Sequence, residues 1–306
     1  MHKYEAIIIG GGLAGTQAAI QLGRYGDDAI VIDAGGGRST TCRSYHNLLG
    51  WPDGVSGQDL RRLGREQAEK TGIRFVSGEV IGASKTKDGF KLVIKDTAEE
   101  YEASTVLLAT GLSDRYPKLP GLEHCLGSSI YVCPDCDGYE VKDKPTAIIG
   151  SGHPGANMAL TISQWTKQLT YINHEMSPVD ESLRQQLKDK GITYLEQPID
   201  QIEHVGGTEL RSILLSDGTS VKAERGFIAF GGNKIHTELA KMLGAERMEN
   251  LHVVTDPRTK ETSVPGVWAA GDVGVHSEQA VIAMGEGLQA AIWMHKRIVQ
   301  MKSNGK

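Results

Sequence analysis

The chain carries Cys133-Pro134-Asp135-Cys136-Asp137-Gly138-Tyr139 shortly before a glycine-rich stretch, Gly150-Ser151-Gly152-His153-Pro154-Gly155. Two cysteines separated by two residues can exchange two electrons as a dithiol or a disulfide. The glycine spacing that follows is typical of a turn that binds the pyrophosphate of a dinucleotide. A similar stretch, Gly10-Gly11-Gly12-Leu13-Ala14-Gly15, lies near the start of the chain. The sequence therefore predicts two dinucleotide-binding units and thiol–disulfide chemistry associated with them.

The first glycine-rich stretch lies between the elements that a nucleotide-binding βαβ unit requires. Ile7-Ile8-Ile9 predicts a short buried strand before it, and the residues after it predict a helix. Gly10 permits the tight turn, Gly12 lets the backbone approach a pyrophosphate, and Gly15 allows the helix to pack closely on the strand. The next predicted strand ends in Asp33, where a ribose 2′-hydroxyl would be accepted.

The two glycine-rich stretches belong to an internal repeat of about 140 residues. Aligned without gaps, Gly10 falls on Gly150, and Asp33 falls on Asn173. The second copy predicts strand 146–149, a helix from Pro154 to about Trp165 and strand 168–172. A dinucleotide-binding unit is therefore present twice in the chain.

Hydrophobic patterning predicts the remaining elements. The predicted helices run from Gly57 to about Thr71 and from Gln279 to about Met301. The segments 73–76, 79–83 and 90–94 predict a small antiparallel layer. Further strands are predicted at 105–111, 193–196, 212–215, 226–230 and 266–273.

Composition narrows the class of protein. The chain has 306 residues, enough for two domains, and its 39% hydrophobic and 23% charged residues are typical of a globular protein. A net charge of −5 without a basic run argues against nucleic acid or an anionic membrane as a partner. Four cysteines are too few for a disulfide scaffold. With neither a signal peptide nor an apolar run long enough to span a membrane, we expect a cytoplasmic protein.

Together these motifs resemble the low-molecular-weight thioredoxin reductase family of FAD-dependent pyridine nucleotide-disulfide oxidoreductases. The resemblance rests on both glycine-rich stretches, Ala109-Thr110-Gly111, the Cys133 to Gly138 motif and Ala270-Gly271-Asp272-Val273. It implies an α/β fold with two Rossmann-like, three-layer ββα dinucleotide-binding domains, the second inserted in the first. The FAD domain would comprise residues 1–114 and 242–306, and an NAD(P)-binding-like domain with the cysteines would comprise 115–241. The family is homodimeric.

The resemblance also implies which residues contact each nucleotide. FAD would be held by Gly10, Gly12, Ala14, Gly15, Asp33, Asn47, Ala109, Thr110, Gly111, Gly271, Asp272, Gln279 and Ala280. Asp272 would lie within reach of the ribityl chain. A nicotinamide nucleotide would bind at Gly150, Gly152, Gly155, Asn173 and Glu175.

The cysteine motif has a local structural interpretation. Pro134 suits the first position of a short helix, which makes Cys133 the N-cap, and a helix N-terminus lowers the pKa of a thiol. By resemblance, Cys136 would exchange electrons with the flavin and Cys133 would react with the partner disulfide. Asp137 would donate or accept the thiol proton. A half zinc site and a structural disulfide are the alternatives, but no second cysteine pair is present.

The sequence departs from the family where NADPH would be recognised. Typical members have His-Arg-Arg after the second strand of the inserted domain, whereas this chain has Asn173-His174-Glu175. The arginine that commonly precedes Gln-Ala is replaced by Glu278. The donor could therefore be NADH, ferredoxin or another flavin carrier. Alternatively the enzyme is a dithiol oxidase that passes electrons to oxygen, or a non-catalytic redox sensor. The partner would be a thioredoxin-like protein or a small dithiol or disulfide.

Overall fold

The computed structural model of the protein describes residues 2–275 and 277–304. The chain forms two compact units. The first contains Met1–Thr40, Leu48–Ser113 and Ile235–Lys306, and the second contains Thr41–Asn47 and Asp114–Lys234. The domain bounds predicted from the sequence differ in two places. Residues 235–241 pack in the first unit because a helix that starts at Glu238 buries Leu239 and Ala240 in its core, and residues 41–47 pack in the second.

The first unit begins as a βαβ motif and closes with a long helix. In chain order its elements are β1 (Lys3–Ile9), α1 (Leu13–Tyr25), β2 (Ala29–Asp33), α2 (Arg38–Thr41), α3 (Gly57–Glu69), β3 (Arg74–Ser77), β4 (Val80–Thr86), β5 (Gly89–Ile94), β6 (Glu100–Leu108) and β7 (Leu112–Ser113).

Its main sheet has the strand order β3-β2-β1-β6-β5-β4. β1 pairs in parallel with β2, where Ile7 lies beside Ile30, and with β6, where Ile7 lies beside Val106. β4 and β5 are antiparallel, as predicted. The prediction of an antiparallel β3 was wrong, because β3 pairs in parallel with β2. The α3 helix crosses over between those two strands, a connection that produces parallel neighbours.

The second unit holds the cysteine motif and the second βαβ motif. Its elements are α4 (Leu122–Cys125), β8 (Ile130–Tyr131), α5 (Pro134–Asp137), a 3₁₀ helix (Gly138–Val141), β9 (Thr146–Gly150), α6 (Gly152–Ile162), β10 (Leu169–Asn173), α7 (Glu181–Asp189), β11 (Thr193–Leu195), β12 (Ile199–Val205), β13 (Glu209–Leu215), β14 (Ser220–Lys222) and β15 (Arg225–Ala229).

The second unit repeats the layered arrangement of the first. Its parallel sheet has the order β11-β10-β9-β15-β8, and an antiparallel sheet has the order β12-β13-β14. One core lies between the two sheets and includes Ile149 and Ile213. The other lies between the parallel sheet and the helices and includes Tyr171 and Ile162. The predicted α/β architecture with two Rossmann-like units is therefore confirmed.

The chain then returns to the first unit through a short strand. Its last elements are β16 (Lys234–Ile235), which pairs with β7, α8 (Glu238–Leu243), β17 (Val267–Ala269), which pairs with β6, and α9 (Ala280–Asn304). Small residues such as Ala290 and Ala291 are fully buried where α9 packs near α1. Among the described residues, none of the helices combines the length and the apolar composition needed to cross a membrane.

Candidate active site

The first glycine-rich turn has room for a ligand. Gly10 has φ +106°, and a Cβ there would overlap the carbonyl of Ala109, so the turn brings these two predicted FAD residues together. A Cβ on Gly15 would overlap the carbonyl of Gly10. Gly12 differs, because no described atom lies within 4 Å of an ideal Cβ there. The backbone of Gly12 is therefore accessible, as close approach to a pyrophosphate requires.

The α1 helix begins directly after this turn. Gly12 is its N-cap, and no side chain of the described residues accepts a hydrogen bond there. The first amides of a helix carry partial positive charge and attract phosphate groups. The residues present therefore fit the pyrophosphate of FAD, and the backbone amides at the start of α1 would hold it.

Asp33 lies at the end of β2, beside this turn. Its Oδ1 accepts a hydrogen bond from the Gly11 amide at 3.0 Å, and its Oδ2 lies 2.8 Å from Nη2 of Arg61. Sequence reasoning did not identify Arg61, which was one of several arginines in a predicted helix. Arg61 holds the Asp33 carboxylate in a defined orientation at the edge of the turn.

The Gly271-Asp272 turn follows β17 and lies against α1. Gly271 has φ +78°, and an added Cβ would lie 2.9 Å from Cβ of Ala14. The Gly271 amide donates to Oε2 of Glu286 at 3.0 Å, and the other oxygen of Glu286 lies 2.8 Å from Nζ of Lys260. Glu286 is buried on α9. The sequence analysis did not identify Glu286. The signal that could have indicated it is an acid among the alanines and glycines of this helix.

Arg38 contributes a cation to the same part of the first unit. Its Nη1 lies 3.8 Å from Oδ2 of Asp272 and donates a hydrogen bond to Oε2 of Glu278. The arginine side chain is largely buried. The acid at position 278 is thus paired with a cation from the segment after β2.

The remaining predicted FAD residues occupy two places. Thr110 Oγ1 donates to the His236 carbonyl at 2.6 Å, and Gly111 has φ +62°. Gln279 and Ala280 mark the start of α9. Asn47 belongs to the segment 41–47, which packs in the second unit, whereas the other predicted FAD residues lie in the first.

Cys133 and Cys136 form a disulfide at the start of α5. Cys133 is the N-cap of this helix and Pro134 lies in its first turn, which confirms the local prediction. The Sγ of Cys133 accepts a hydrogen bond from the Cys136 amide at 3.2 Å. Asp137 follows directly, and its charge acts on Cys42 of the segment 41–47. Burial, followed by this charge, raises the pKa of the Cys42 thiol to about 12.

The second glycine-rich turn differs from the first. Gly152 is buried and has φ +52°, whereas Gly12 is partly exposed and has φ −71°. The Gly152 amide donates to Oδ1 of Asn173 at 3.0 Å. The amide nitrogen of Asn173 donates to the Ser177 carbonyl at 2.8 Å and to the hydroxyl of Tyr194 at 2.9 Å. Asn173 is a predicted nucleotide ligand, but its side chain is fully buried and is hydrogen-bonded to neighbouring residues of the protein.

His174 and Glu175 are also held by neighbouring residues. Nδ1 of His174 accepts from the Ile199 amide at 2.8 Å, and burial lowers the pKa of its imidazole. Glu175 Oε1 lies 2.5 Å from Nη2 of Arg115. Burial alone raises the pKa of the Glu175 carboxyl, but hydrogen bonds from Ser151 and Arg115 outweigh it, so the pKa lies below its ordinary value.

Comparison with known proteins places the chain in a family. Residues 4–287 match the family described as pyridine nucleotide-disulphide oxidoreductase. The chain belongs to this family. Thioredoxin reductase of Aquifex aeolicus is 30% identical over 303 residues, which cover 96% of this chain and 93% of that protein. Thioredoxin reductase of Mycolicibacterium smegmatis is also 30% identical, over 94% of each chain.

Solved structures show the same similarity. The crystal structure of HlmI aligns with a TM-score of 0.87 and 26% identity, covering 99% of this chain and 95% of that one. The putative thioredoxin reductase TrxB of Bacillus anthracis aligns with a TM-score of 0.84 and 25% identity, covering 98% and 99%. The chain is therefore a thioredoxin reductase-like, FAD-dependent disulfide oxidoreductase, and the predicted family is confirmed. These relatives do not determine the electron donor.

Proposed function

We propose that Cys133 and Cys136 carry two electrons between FAD and an external disulfide or dithiol. The observation that supports this proposal is their disulfide at the N-terminus of α5. A pair separated by two residues closes and opens with little change in the backbone. Bound FAD supplies the two-electron oxidation or reduction that such a pair requires.

The two sulfurs have different tasks in the proposed reaction. Cys133 caps α5 and accepts the Cys136 amide hydrogen, an interaction that stabilises negative charge on its sulfur. Cys133 is therefore the sulfur that attacks, or is released from, the external partner. Cys136 exchanges electrons with the flavin, and Asp137 donates or accepts the proton of the departing thiolate.

The FAD site proposed here uses the open turn of the first unit. The amides after Gly12 hold the pyrophosphate, Asp33 accepts a ribose hydroxyl, and Asp272 faces the ribityl chain. The other proposed contacts in this unit are Gly10, Ala14, Gly15, Ala109, Thr110, Gly111, Gly271, Gln279 and Ala280. This assignment is supported by the positive φ of Gly10 and by the open space at Gly12.

The proposed partner is a thioredoxin-like protein or a small molecule with two sulfurs. Relatives named thioredoxin reductase support a disulfide of this kind. We further propose that the enzyme is a cytoplasmic homodimer, as the thioredoxin reductase family resemblance implies. Size-exclusion chromatography with light scattering measures the assembly directly.

The proposal is tested by reducing the FAD-loaded protein with dithiothreitol in the absence of oxygen. Wild type should lose its visible flavin absorption, whereas Cys136→Ser should retain it because the sulfur that communicates with FAD is missing. Cys42→Ser is the matched control and should behave as wild type. Unchanged flavin reduction in Cys136→Ser would contradict the proposed route.

Trapping experiments separate the roles of the two cysteines. A reduced Cys136→Ser protein should form a stable mixed disulfide with an aromatic disulfide at Cys133, because no second thiol can resolve it. Cys133→Ser should form less of this adduct under the same conditions. Mass spectrometry of the tryptic peptides measures both. Equal labelling of the two variants would show that Cys133 is not the preferred attacking sulfur.

A further inference from the structure

The two glycine-rich turns have opposite surroundings at their second glycine. Gly12 is partly exposed, with no described atom within 4 Å of an ideal Cβ. The corresponding Gly152 is buried, and a Cβ there would lie 3.2 Å from both the Ser177 side chain and the Pro178 carbonyl. The space that a pyrophosphate would occupy at the first turn is therefore filled by protein at the second.

The backbone amide at the second turn already donates a hydrogen bond within the protein. In the first copy the β2 acid Asp33 bonds to the amide of Gly11. In the second copy the equivalent Asn173 bonds one position further along, to the amide of Gly152. That amide lies where the close approach to a pyrophosphate would occur. It could bind a phosphate only by breaking a buried hydrogen bond, which is costly.

Side-chain contacts hold the segment 175–180 against this turn. The hydroxyl groups of Ser151 and Ser177 are hydrogen-bonded, with their oxygens 2.7 Å apart. Asp180 Oδ2 lies 2.8 Å from Nε2 of His153, in the first turn of α6. Glu175 accepts a hydrogen bond from Ser151. The contacts come from both ends of the segment, so they hold it in place as a cover.

The acidic residues of the segment 175–180 disfavour the binding of a dinucleotide. Glu175 and Asp180 are acidic, and a pyrophosphate beside them would be repelled. Arg115 is the cation that contacts Glu175, at 2.5 Å. Its guanidinium also donates to the Phe230 carbonyl at 3.3 Å and lies over the Phe230 ring. A 2′-phosphate could recruit Arg115 only by displacing these contacts.

We propose that the second glycine-rich turn is a closed structural turn whose residues do not fit the pyrophosphate of a nicotinamide nucleotide. The response to dithiothreitol used in its test rests on the proposed function of the cysteine pair.

The test is an anaerobic titration of the FAD-loaded enzyme followed by its visible absorption. Dithiothreitol should bleach the flavin within seconds, whereas NADH and NADPH should leave it oxidised and give no saturable heat in isothermal titration calorimetry. Cys136→Ser should lose the response to dithiothreitol. Flavin reduction by either nucleotide, or saturable nucleotide binding, would overturn the closed turn.

Failure of the inference and failure of the proposed function have different signatures. If NADH or NADPH bleaches the flavin while Cys136→Ser abolishes disulfide turnover, only the closed turn is wrong. If dithiothreitol reduces wild type and Cys136→Ser equally, the proposed function of the cysteine pair is wrong.

Discussion

Arg38 and Glu278 are ion-paired in the first unit although 240 residues separate them in the sequence. Arg38 also lies 3.8 Å from the carboxylate of Asp272. One guanidinium group thus faces two acids beside the proposed FAD site. Removing it would leave Asp272 and Glu278 without this cation beside the proposed site of FAD, which itself carries two negative charges on its pyrophosphate.

Replacing Arg38 should therefore weaken FAD binding. We expect Arg38→Gln to raise the Kd for FAD by roughly 10–100-fold, or about 1.4–2.8 kcal/mol. The double variant Arg38→Gln/Glu278→Gln should recover part of this loss because one of the two acids is gone. Fluorescence quenching of FAD added to apoprotein measures the Kd.

The matched control for this prediction is Arg62→Gln. Arg62 is an exposed arginine on α3 that pairs with Asp59 and Glu66. Exposed pairs of this kind contribute little to stability, so this variant should bind FAD as wild type does. Equal effects of Arg38→Gln and Arg62→Gln would show that Arg38 acts only through general surface charge.

The sequence predicts which segments form the FAD site, but it does not predict which of their side chains contact one another. The spacing of Gly10, Gly12 and Gly15 indicates a strand, a turn and a helix, and these elements form as predicted. Arg38 and Arg61 leave no such periodic signal, because their partners lie far away in the sequence. An ion pair between distant segments depends on packing, which local patterns do not encode.

The buried pair Lys260–Glu286 should stabilise the first unit. Both side chains are largely buried, and Glu286 also accepts the Gly271 amide. Glu286→Ala leaves a lysine and a backbone amide without this acceptor, so we expect the free energy of unfolding to fall by about 3–5 kcal/mol. Thermal denaturation followed by circular dichroism measures the change.

A second variant distinguishes charge imbalance from lost packing. Lys260→Met/Glu286→Leu replaces the pair with apolar side chains of similar size and should be less destabilised than Glu286→Ala alone. If the double variant is the less stable protein, packing rather than the uncompensated lysine explains the loss.

The second nucleotide-binding motif shows a different limit of sequence analysis. The repeat places Asn173 correctly opposite Asp33 at the end of a strand. It does not reveal that Gly152 has φ +52°, or that Ser177 and Pro178 cover it. The glycine spacing is the same in open and closed turns because tight backbone packing also requires glycine. A Cβ on Gly155, for example, would overlap the ring of Tyr171.

Cys42 should react slowly with alkylating reagents although it shares a unit with the redox pair. The pKa of its thiol is raised to about 12, first by burial and then by the charge of Asp137. The thiolate is the reactive form, so in reduced enzyme at pH 8 we expect Cys42 to react at least about tenfold more slowly with iodoacetamide than Cys133. Peptide mass spectrometry resolves the sites, and in guanidinium the difference should disappear.

The same shift predicts how stability depends on pH. The folded thiol stays protonated where an unfolded cysteine, with a pKa of about 8.5, loses its proton. Its contribution to stability is therefore complete below about pH 8.5 and is lost as pH rises towards 12. Cys42→Ala should show a flatter decline in stability between pH 8 and 10 than wild type. Identical slopes would contradict the raised pKa.

Gly138 allows the segment after the redox cysteines to pack against Trp165. A Cβ at this position would lie 2.7–2.8 Å from three carbons of the indole ring. Its φ of −58° is allowed for any residue, so a side chain at this position is disfavoured by steric overlap and not by the backbone conformation. We expect Gly138→Ala to cost about 1–3 kcal/mol and to lower the Tm by several degrees. Differential scanning calorimetry measures both.

Two further variants make the steric origin of this effect testable. Gly285→Ala is the control, because no described atom lies within 4 Å of its ideal Cβ and it lies inside α9, where alanine is the better helix former. That variant should keep or slightly raise the Tm. Gly138→Ala/Trp165→Leu should be less destabilised than the sum of its single changes, because the smaller side chain leaves room for the new methyl group. Strict additivity would show that Trp165 is not the obstacle.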